Sequence, residues 1–145
     1  MMSKEKLNII LVDDSKSFLE ALQIVLDKYF MCSVLDICYD GKELVESKKL
    51  HQADLIISDI EMPGMNGLEA AMLVNQRYSK LPMIALTMHI DKVFIDDIIY
   101  AGFRGFVYKP EVSKKLPDVI NQVLNKKFAF SNSLNIKEQN NNGGL

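Results

Sequence analysis

Charged and hydroxyl side chains follow four of the five apolar runs in this chain. Asp13 and Asp14 follow the first run, Asp59 follows the third, Thr87 ends the fourth and Lys109 ends the fifth. Carboxylates that converge from two runs repel one another, so a hard divalent cation such as Mg²⁺ is their natural partner. An aspartate can also attack phosphorus as a nucleophile, and an ammonium and a hydroxyl can then bind the phosphoryl oxygens. The set therefore predicts Mg²⁺-dependent phosphoryl chemistry.

The five apolar runs alternate with segments of helical periodicity, which is typical of a parallel sheet covered by helices on both faces. Because right-handed crossovers leave few topologies, we expect a doubly wound α/β sheet. Ligand sites in such sheets lie at the carboxyl ends of the strands, where the polar side chains are placed. The predicted strands are residues 7–12, 32–39, 54–58, 83–87 and 106–109, and the predicted helices are residues 18–29, 42–50, 68–78, 91–101 and 113–127. Pro117 is expected to delay or distort the first turn of the last helix.

Composition excludes several classes of function. A formal net charge of -2 gives no basic footprint for nucleic acid or for an anionic membrane. No apolar run approaches the roughly 20 residues that a membrane span needs, and the first residues lack a signal-peptide core. We therefore expect a cytoplasmic protein. Cys32 and Cys38 would lie about 20 Å apart along one strand, too far for a disulfide, so free thiols are expected.

Four motifs occur in order and at suitable spacing: "ILVDDS", "DLIISDIEMPGMNGLE", "ALT" and "GFRGFVYKP". With them the chain resembles the receiver domains of two-component response regulators over about residues 6–127. The resemblance implies a flavodoxin-like fold, (βα)5, with a doubly wound five-stranded parallel sheet in strand order 2-1-3-4-5. It also implies a signalling switch whose own chemistry is limited to accepting and hydrolysing an aspartyl phosphate, rather than a conventional enzyme.

The same resemblance assigns the metal and phosphoryl roles. Asp59 would be the phosphoacceptor, served by a sensor histidine kinase or a phosphotransfer protein. Asp14 and Asp59 would bind Mg²⁺ directly, together with the main-chain carbonyl of Glu61, and Asp13 would act through water. Lys109 would contact the phosphoryl group.

The resemblance also implies how the switch operates. Pro110 would follow a cis peptide bond. Thr87 and Phe106 would form a switch pair, with Thr87 moving towards the phosphoryl group and Phe106 entering the vacated space. These movements would change the surface made by the fourth helix, the fifth strand and the fifth helix. Many relatives carry tyrosine at the position of Phe106, so the coupling here would lack a hydroxyl hydrogen bond.

Two further stretches, "ALTMHIDKVFIDDIIYAG" and "VLNKKFAFSNSL", look like the branch whose receivers precede a LuxR-type helix-turn-helix output domain. We expect residues 1–127 to form the receiver domain. Residues 128–145 are polar and rich in Asn and Gly, and we expect a disordered tail or the start of a linker. DNA would then be bound only through an output domain that this chain does not include, and control of transcription is the expected output.

The fourth predicted helix is apolar nearly all round. At about 100° per residue, Ile95 and Ile99 point away from Ile90, Phe94 and Ala101. This pattern favours a partner or homodimer surface on the fourth helix, fifth strand and fifth helix. The alternative is that Ile95 or Ile99 packs against a neighbouring helix.

Other interpretations remain open at this point. A Mg²⁺-dependent phosphohydrolase with an aspartyl nucleophile and a receiver-like module that is never phosphorylated are the two main alternatives. A nucleotide-binding module is weaker, since neither GxGxxG nor GxxxxGK[ST] occurs. Individually, Asp13 and Asp14 could only cap the first helix, Thr87 could be structural, Lys109 could be a surface cation and Phe106 could be strand packing. His51 and His89 have no partner at metal-ligand spacing and are expected at the surface.

Overall fold

The computed structural model describes residues 6–130. Its centre is one sheet of five parallel strands in the order β2-β1-β3-β4-β5, which confirms the predicted fold and strand order. The strands are β1 (Leu7–Val12), β2 (Cys32–Cys38), β3 (Leu55–Asp59), β4 (Met83–Thr87) and β5 (Gly105–Tyr108). Since β1 lies between β2 and β3, the chain reverses its direction of travel across the sheet at β1.

The strands differ in burial as their sequences predict. The apolar runs of β3 and β4 are buried along their whole length, because helices cover both faces of the sheet. The edge strand β2 is half-exposed along most of its length. Its pairing with β1 also shifts register between Ile9 and Ile10. Such an irregularity discourages further strands from adding to an edge.

The helices begin at hydrogen-bonded caps where the sequence provides them. Ser15 accepts a hydrogen bond from the Phe18 amide at the start of the first helix, and Asn66 forms a reciprocal capping box with Glu69 at the start of the third. The five helices are α1 (Lys16–Tyr29), α2 (Gly41–Val45), α3 (Gly67–Arg77), α4 (Lys92–Tyr100) and α5 (Val112–Leu124).

Two helix predictions are wrong in their bounds. Helix α2 ends at Val45 rather than continuing to residue 50, and a separate 3-10 turn covers Leu50–Gln52. Here the Ser47 hydroxyl donates to Asp36 at 2.6 Å and accepts from the Lys49 amide at 3.2 Å, so a side chain competes with the helical backbone.

Helix α5 begins five residues before Pro117, so this proline does not delay its start. A 3-10 turn at Lys109–Glu111 leads directly into the helix. Pro117 removes one backbone donor inside the helix. The buried residues of α5 compensate for that loss, because they fix the helix against the sheet. These residues are Val112, Leu116, Val119, Ile120 and Val123.

Two apolar layers lie on the two faces of the sheet. One layer packs α1 and α5 against the sheet, and the other packs α2, α3 and α4 against it. Ile95 and Ile98 of α4 are buried in the second layer, so the prediction that Ile95 points away from the core is wrong. Val93, Ile99 and Tyr100 are exposed instead. Helix α4 is rotated so that Ile95 rather than Val93 faces the sheet.

Residues 128–130 were predicted to belong to a polar tail, but they fold back onto the sheet. Ala129 forms a parallel bridge with Gly105 at the edge of β5, and Phe130 is buried. The remainder of the predicted tail, residues 131–145, lies outside the described residues. Within residues 6–130, Cys32 and Cys38 are free thiols, as predicted, and no helix is long and apolar enough to cross a membrane.

Candidate functional site

Three carboxylates meet at the carboxyl edge of the sheet. Strands β1 and β3 are hydrogen-bonded neighbours, so the residues that follow or end them are brought together. One oxygen each of Asp13, Asp14 and Asp59 lies within 4.8 Å of the other two. Asp13 and Asp59 are buried, whereas Asp14 is exposed. The structure therefore assembles the acidic cluster that the strand ends predicted.

Lys109 joins the two buried acids. It follows β5 directly, and its Nζ lies 2.8 Å from Asp13 Oδ2 and 3.3 Å from Asp59 Oδ2. The Phe18 ring of α1 lies under the same ammonium, with its centroid 4.4 Å from Nζ. The side chain of Lys109 is only 15% exposed, so the alternative that it is a free surface cation is wrong.

The protonation equilibria of Asp59 and Lys109 reflect this enclosure. Burial raises the pKa of Asp59, the Glu61 amide and Lys109 oppose the rise, and the charge of Asp13 adds to it. Burial alone would lower the pKa of Lys109. The hydrogen bond to Asp13 and the charges of Asp59 and Asp13 outweigh burial, so the pKa of Lys109 is raised. The ammonium is held charged between the two carboxylates.

Asp13 and Asp14 do not cap the first helix, which was the alternative to a role in the site. Ser15 itself caps α1, and its own amide donates to Asp13 Oδ1 at 2.9 Å. The second oxygen, Asp13 Oδ2, is buried and has no donor among residues 6–130 apart from the Lys109 ammonium. Asp13 therefore supports the loop with one oxygen and presents the other to the site.

The loop after β3 fixes the backbone beside Asp59. The Glu61 amide donates to Asp59 Oδ1 at 3.2 Å, and the Gly67 amide donates to the Ile60 carbonyl at 3.1 Å. A Cβ at Gly67 would overlap the Asp59 carbonyl oxygen, so only glycine permits this close return of the chain. The Pro/Gly-rich stretch after Asp59 is thus explained by the need to turn tightly around the acid.

Thr87 is buried at the end of β4, on the same face of the sheet as Phe106. Its hydroxyl donates to the His89 carbonyl at 3.0 Å and accepts from the His89 amide at 2.9 Å. In the pairing of β4 with β5, Ala85 lies opposite Phe106 and Thr87 lies opposite Tyr108. Because side chains alternate between faces, Thr87 and Phe106 are diagonal neighbours.

His89 was expected to be an ordinary surface residue, but it lies beside the site. Its Nε2 is 3.0 Å from Glu61 Oε2, so the pair bridges the loops that follow β3 and β4. The imidazole also stacks on the Phe94 ring of α4, with centroids 4.3 Å apart. In the sequence, this placement is indicated by the position of His89 two residues after Thr87, and not by metal-ligand spacing.

The prediction of a cis bond before Pro110 is wrong for this structure. The described residues contain no cis peptide bond. Pro110 instead lies in the 3-10 turn that precedes α5. A proline there fits a trans bond, because its fixed φ suits the first turn of a helix and its missing amide would have no helical acceptor. Lys109 reaches the two acids without a cis bond.

Curated sequences that are similar to this chain include transcriptional regulatory proteins. It is 31% identical over 128 residues to the transcriptional regulatory protein DesR of Bacillus subtilis, covering 88% of this chain and 63% of the relative. It is 29% identical over 108 residues to the transcriptional regulatory protein DegU of Brevibacillus brevis, covering 74% of this chain and 46% of the relative. The chain thus spans less than two thirds of either protein.

Solved structures share the fold. A LuxR-family two-component response regulator from Aurantimonas sp. SI85-9A1 is 25% identical with a TM-score of 0.80, over 86% of this chain and 89% of that one. The receiver domain of the putative regulator NarL from Mycobacterium tuberculosis is 22% identical with a TM-score of 0.76, over 84% and 98% of the two chains, and supports the fold alone. The family described as response regulator receiver domain matches residues 9–121. The chain, with its acids and its ammonium gathered at one edge of a 2-1-3-4-5 sheet, belongs to the response regulator receiver domains.

Proposed function

We propose that Asp59 accepts a phosphoryl group from a histidine kinase or phosphotransfer protein and thereby switches the surface of the domain. The observation that carries this proposal is the contact of Lys109 with both Asp13 and Asp59, beside the exposed Asp14. A carboxylate nucleophile needs a neighbouring positive charge to offset the incoming phosphoryl oxygens, and Lys109 supplies that charge at this edge of the sheet.

The transfer follows from the residues present. A bond forms between a carboxylate oxygen of Asp59 and phosphorus, while the bond between phosphorus and the imidazole nitrogen of the donor breaks and its electron pair returns to the imidazole. The Glu61 amide and Lys109 orient the attacking carboxylate. Lys109 then offsets the charge of the acyl phosphate. Hydrolysis of the acyl phosphate would end the signal, and this limited chemistry differs from that of a conventional enzyme.

The acidic cluster also fits Mg²⁺. Asp13, Asp14 and Asp59 each place one carboxylate oxygen within 4.8 Å of the other two, which makes a hard, oxygen-only donor set. Asp14 is open to solvent, and Asp13 Oδ2 is buried. Asp14, Asp59 and the main-chain carbonyl of Glu61 would hold the ion directly, and Asp13 would act through water. When bound, Mg²⁺ neutralises negative charge on the phosphoryl oxygens.

Phosphorylation would be transmitted through Thr87 and Phe106. The Thr87 hydroxyl would leave the His89 backbone for the phosphoryl group, and Phe106 would enter the space beside it. Both residues are buried on one face of the sheet, which supports their coupling. The surface of α4, β5 and α5 would then change its preferred conformation.

We propose that this surface controls transcription through an output domain, as the names of DesR and DegU suggest for those relatives. DNA would be bound by the output domain and not by the receiver. The same surface is a candidate homodimer interface, because Val93 and Tyr100 of α4 are exposed there. Sedimentation of wild type and Val93→Asp, each with and without beryllofluoride, tests this. Identical monomers in all four samples would exclude self-association.

The acceptor is tested by intact mass. Incubation with Mg²⁺ and a small acyl phosphate should add one phosphoryl unit to the wild-type chain and none to Asp59→Asn. Asp118→Asn, an exposed aspartate of α5, is the matched control and should label normally. Labelling that persists in Asp59→Asn would move the acceptor to another residue.

The metal set is tested separately by titration calorimetry. Asp14→Ala should weaken Mg²⁺ binding about tenfold or more, because one direct carboxylate ligand is lost, and the fold should persist since Asp14 is exposed. Normal Mg²⁺ binding by this variant would place the ion elsewhere.

A further inference from the structure

The segment formed by residues 128–130 covers the outer edge of β5. The Ala129 amide donates to the Arg104 carbonyl at 2.8 Å, and Ala129 forms a parallel bridge with Gly105. The segment therefore occupies an edge whose backbone groups would otherwise be open to solvent or to another strand.

Side chains hold this segment from both faces of the sheet. Ala129 packs with the layer of α1 and α5, whereas Phe130 is 5% exposed and packs with the layer of α2, α3 and α4. The Phe130 ring stacks on Phe106, with centroids 5.9 Å apart and an interplanar angle of 24°. Phe128 stacks on Phe130 from outside at 6.4 Å and is 68% exposed.

The sequence of β5 allows this close approach. A Cβ at Gly105 would lie 2.9 Å from the Ala129 Cβ and 3.1 Å from both Val119 Cγ1 and Val123 Cγ2. A larger residue would push the 128–130 segment away from the edge. The glycine at the first position of β5 thus fits the segment as well as the helix beneath it.

From these contacts we infer that Phe130 is a positioning residue for the switch, because it holds Phe106 out of the space beside Thr87. The inference rests on the proposed function. In the proposed switch, Phe106 moves into the space that Thr87 vacates, and this movement would end its stack on Phe130. Phosphorylation of Asp59 therefore separates Phe106 from Phe130 and loosens residues 128–130 from β5.

Release of the segment has two consequences. It exposes the edge of β5, in the middle of the surface proposed to change on phosphorylation. It also detaches residues 128–130 from β5, so a local ring movement changes how the sequence after residue 130 is joined to the sheet. Linkage makes this effect reciprocal. The free energy by which phosphorylation weakens the contacts of residues 128–130 equals the free energy by which those contacts disfavour phosphorylation.

Hydrogen exchange at the Ala129 amide reports directly on the segment. In the full 145-residue chain, this amide should be protected, and adding Mg²⁺ with beryllofluoride should increase its exchange rate about tenfold or more. Phe106→Ala should raise the same rate without any phosphoryl analogue, because the segment loses its ring partner. An Ala129 rate that is unchanged by the phosphoryl analogue, or unchanged by Phe106→Ala, overturns the inference.

Phosphorylation kinetics test the positioning role of the Phe130 ring. Phe130→Ala should increase the rate of labelling by a small acyl phosphate by roughly fivefold or more, within the usual range of coupling between sites. Phe130→Leu should restore much of the wild-type rate, since it refills the apolar position. Phe128→Ala removes a ring of the same size on the exposed side and should change the rate less than twofold. Equal rates in wild type and a folded Phe130→Ala variant overturn the inference.

Separate measurements distinguish failure of the proposed function from failure of the coupling to Phe130. If intact mass shows no phosphoryl group on Asp59, the proposed function fails and this inference fails with it. If Asp59 is labelled but Ala129 exchange stays the same with and without the phosphoryl analogue, the function stands and the coupling to Phe130 is wrong.

Discussion

The two faces of the sheet and its carboxyl edge are built from opposite kinds of side chain. Ile9, Leu11 and Ile57 on one face are completely buried among apolar neighbours, as are Ile10 and Ile56 on the other. At the carboxyl edge, the enclosed side chains are the carboxylates of Asp13 and Asp59 and the ammonium of Lys109 that joins them. The faces stabilise the fold by removing apolar area from water, at roughly 25 cal/mol per Å². The edge keeps charges in places where desolvation opposes them.

This difference shows where the domain gives up stability for function. A substitution that inserts charge into a face should unfold the protein. A substitution that removes one acid from the edge should increase the free energy of unfolding, provided that the remaining charges stay paired. Variants in the two regions should therefore differ in both the sign and the size of their effect on stability.

Placing a carboxylate in a face should have the largest effect. Ile95 of α4 is 0% exposed, and Ile95→Asp would bury an unpaired charge at a cost of about 4 kcal/mol or more, which approaches the whole stability of a small domain. Val93→Asp also introduces a carboxylate into α4, but at a position that is 71% exposed, and should change stability by less than about 0.5 kcal/mol. Urea unfolding of both variants checks this, and similar midpoints would show that α4 is rotated differently.

Removing the ammonium should have the next largest effect. Lys109→Ala leaves Asp13 and Asp59 side by side without a countercharge, and should cost about 3 kcal/mol of the unfolding free energy near pH 7. The loss should shrink in acid, as Asp59, whose pKa is raised by burial, protonates. Lys114→Ala, an exposed lysine of α5, is the control and should be neutral. A loss that does not depend on pH would show that Lys109 contributes by packing on Phe18 instead.

Removing the acceptor's charge should stabilise the protein modestly. The pKa of Asp59 is raised in the folded state, mainly by burial, so its carboxyl favours folding below its ordinary pKa, and this contribution is lost as pH rises through the raised pKa. Asp59→Asn cannot ionise and should be about 1 kcal/mol more stable than wild type near neutral pH. Melting temperatures measured between acid and neutral pH should therefore diverge as pH rises. If the melting temperatures of wild type and Asp59→Asn instead approach each other towards neutral pH, the pKa of Asp59 is not raised in the folded state.

The smallest effect concerns the two thiols at the ends of the edge strand β2, of which Cys38 is buried and Cys32 is half-exposed. Burial raises the pKa of Cys38 to about 12, so its thiolate fraction at pH 8 is about a thousand times lower than that of an ordinary thiol. The half-exposed Cys32 also has a raised pKa, from burial and from Asp27, but remains accessible. Brief alkylation followed by mass spectrometry should modify Cys32 first. Cys38 should react only after unfolding, and early modification of Cys38 would show that β2 opens readily.

Most of the fold and the charged part of the site could be predicted from the sequence. Apolar runs that end in Asp13, Asp59, Thr87 and Lys109 specify both the strands and the edge where the side chains meet. The rotation of α4 could not be predicted, because a helix with apolar residues nearly all round has no single hydrophobic face that fixes Ile95 inwards. The isomer of the bond before Pro110 depends on tertiary context, which no local sequence supplies.

The segment that covers β5 was missed for a different reason. Composition averaged over residues 128–145 is dominated by Asn and Gly, and this average conceals Phe128 and Phe130 at its beginning. Reading the pattern Phe-Ala-Phe by itself would have indicated a short strand with alternating faces. His89 was missed because its partner, Glu61, comes from a different loop and lies 28 residues away.

The way that Lys109 joins Asp59 across 50 residues also orders events during synthesis and folding. Because β4 lies between β3 and β5, Lys109 can reach Asp59 only when all three strands have joined the sheet. Such non-local parallel pairing is slow compared with the formation of helices. Until β5 pairs, Asp59 lacks the ammonium that orients it. A growing or partly folded chain would therefore be a poor phosphoacceptor, and the cell would receive signals only from molecules that had completed their sheet.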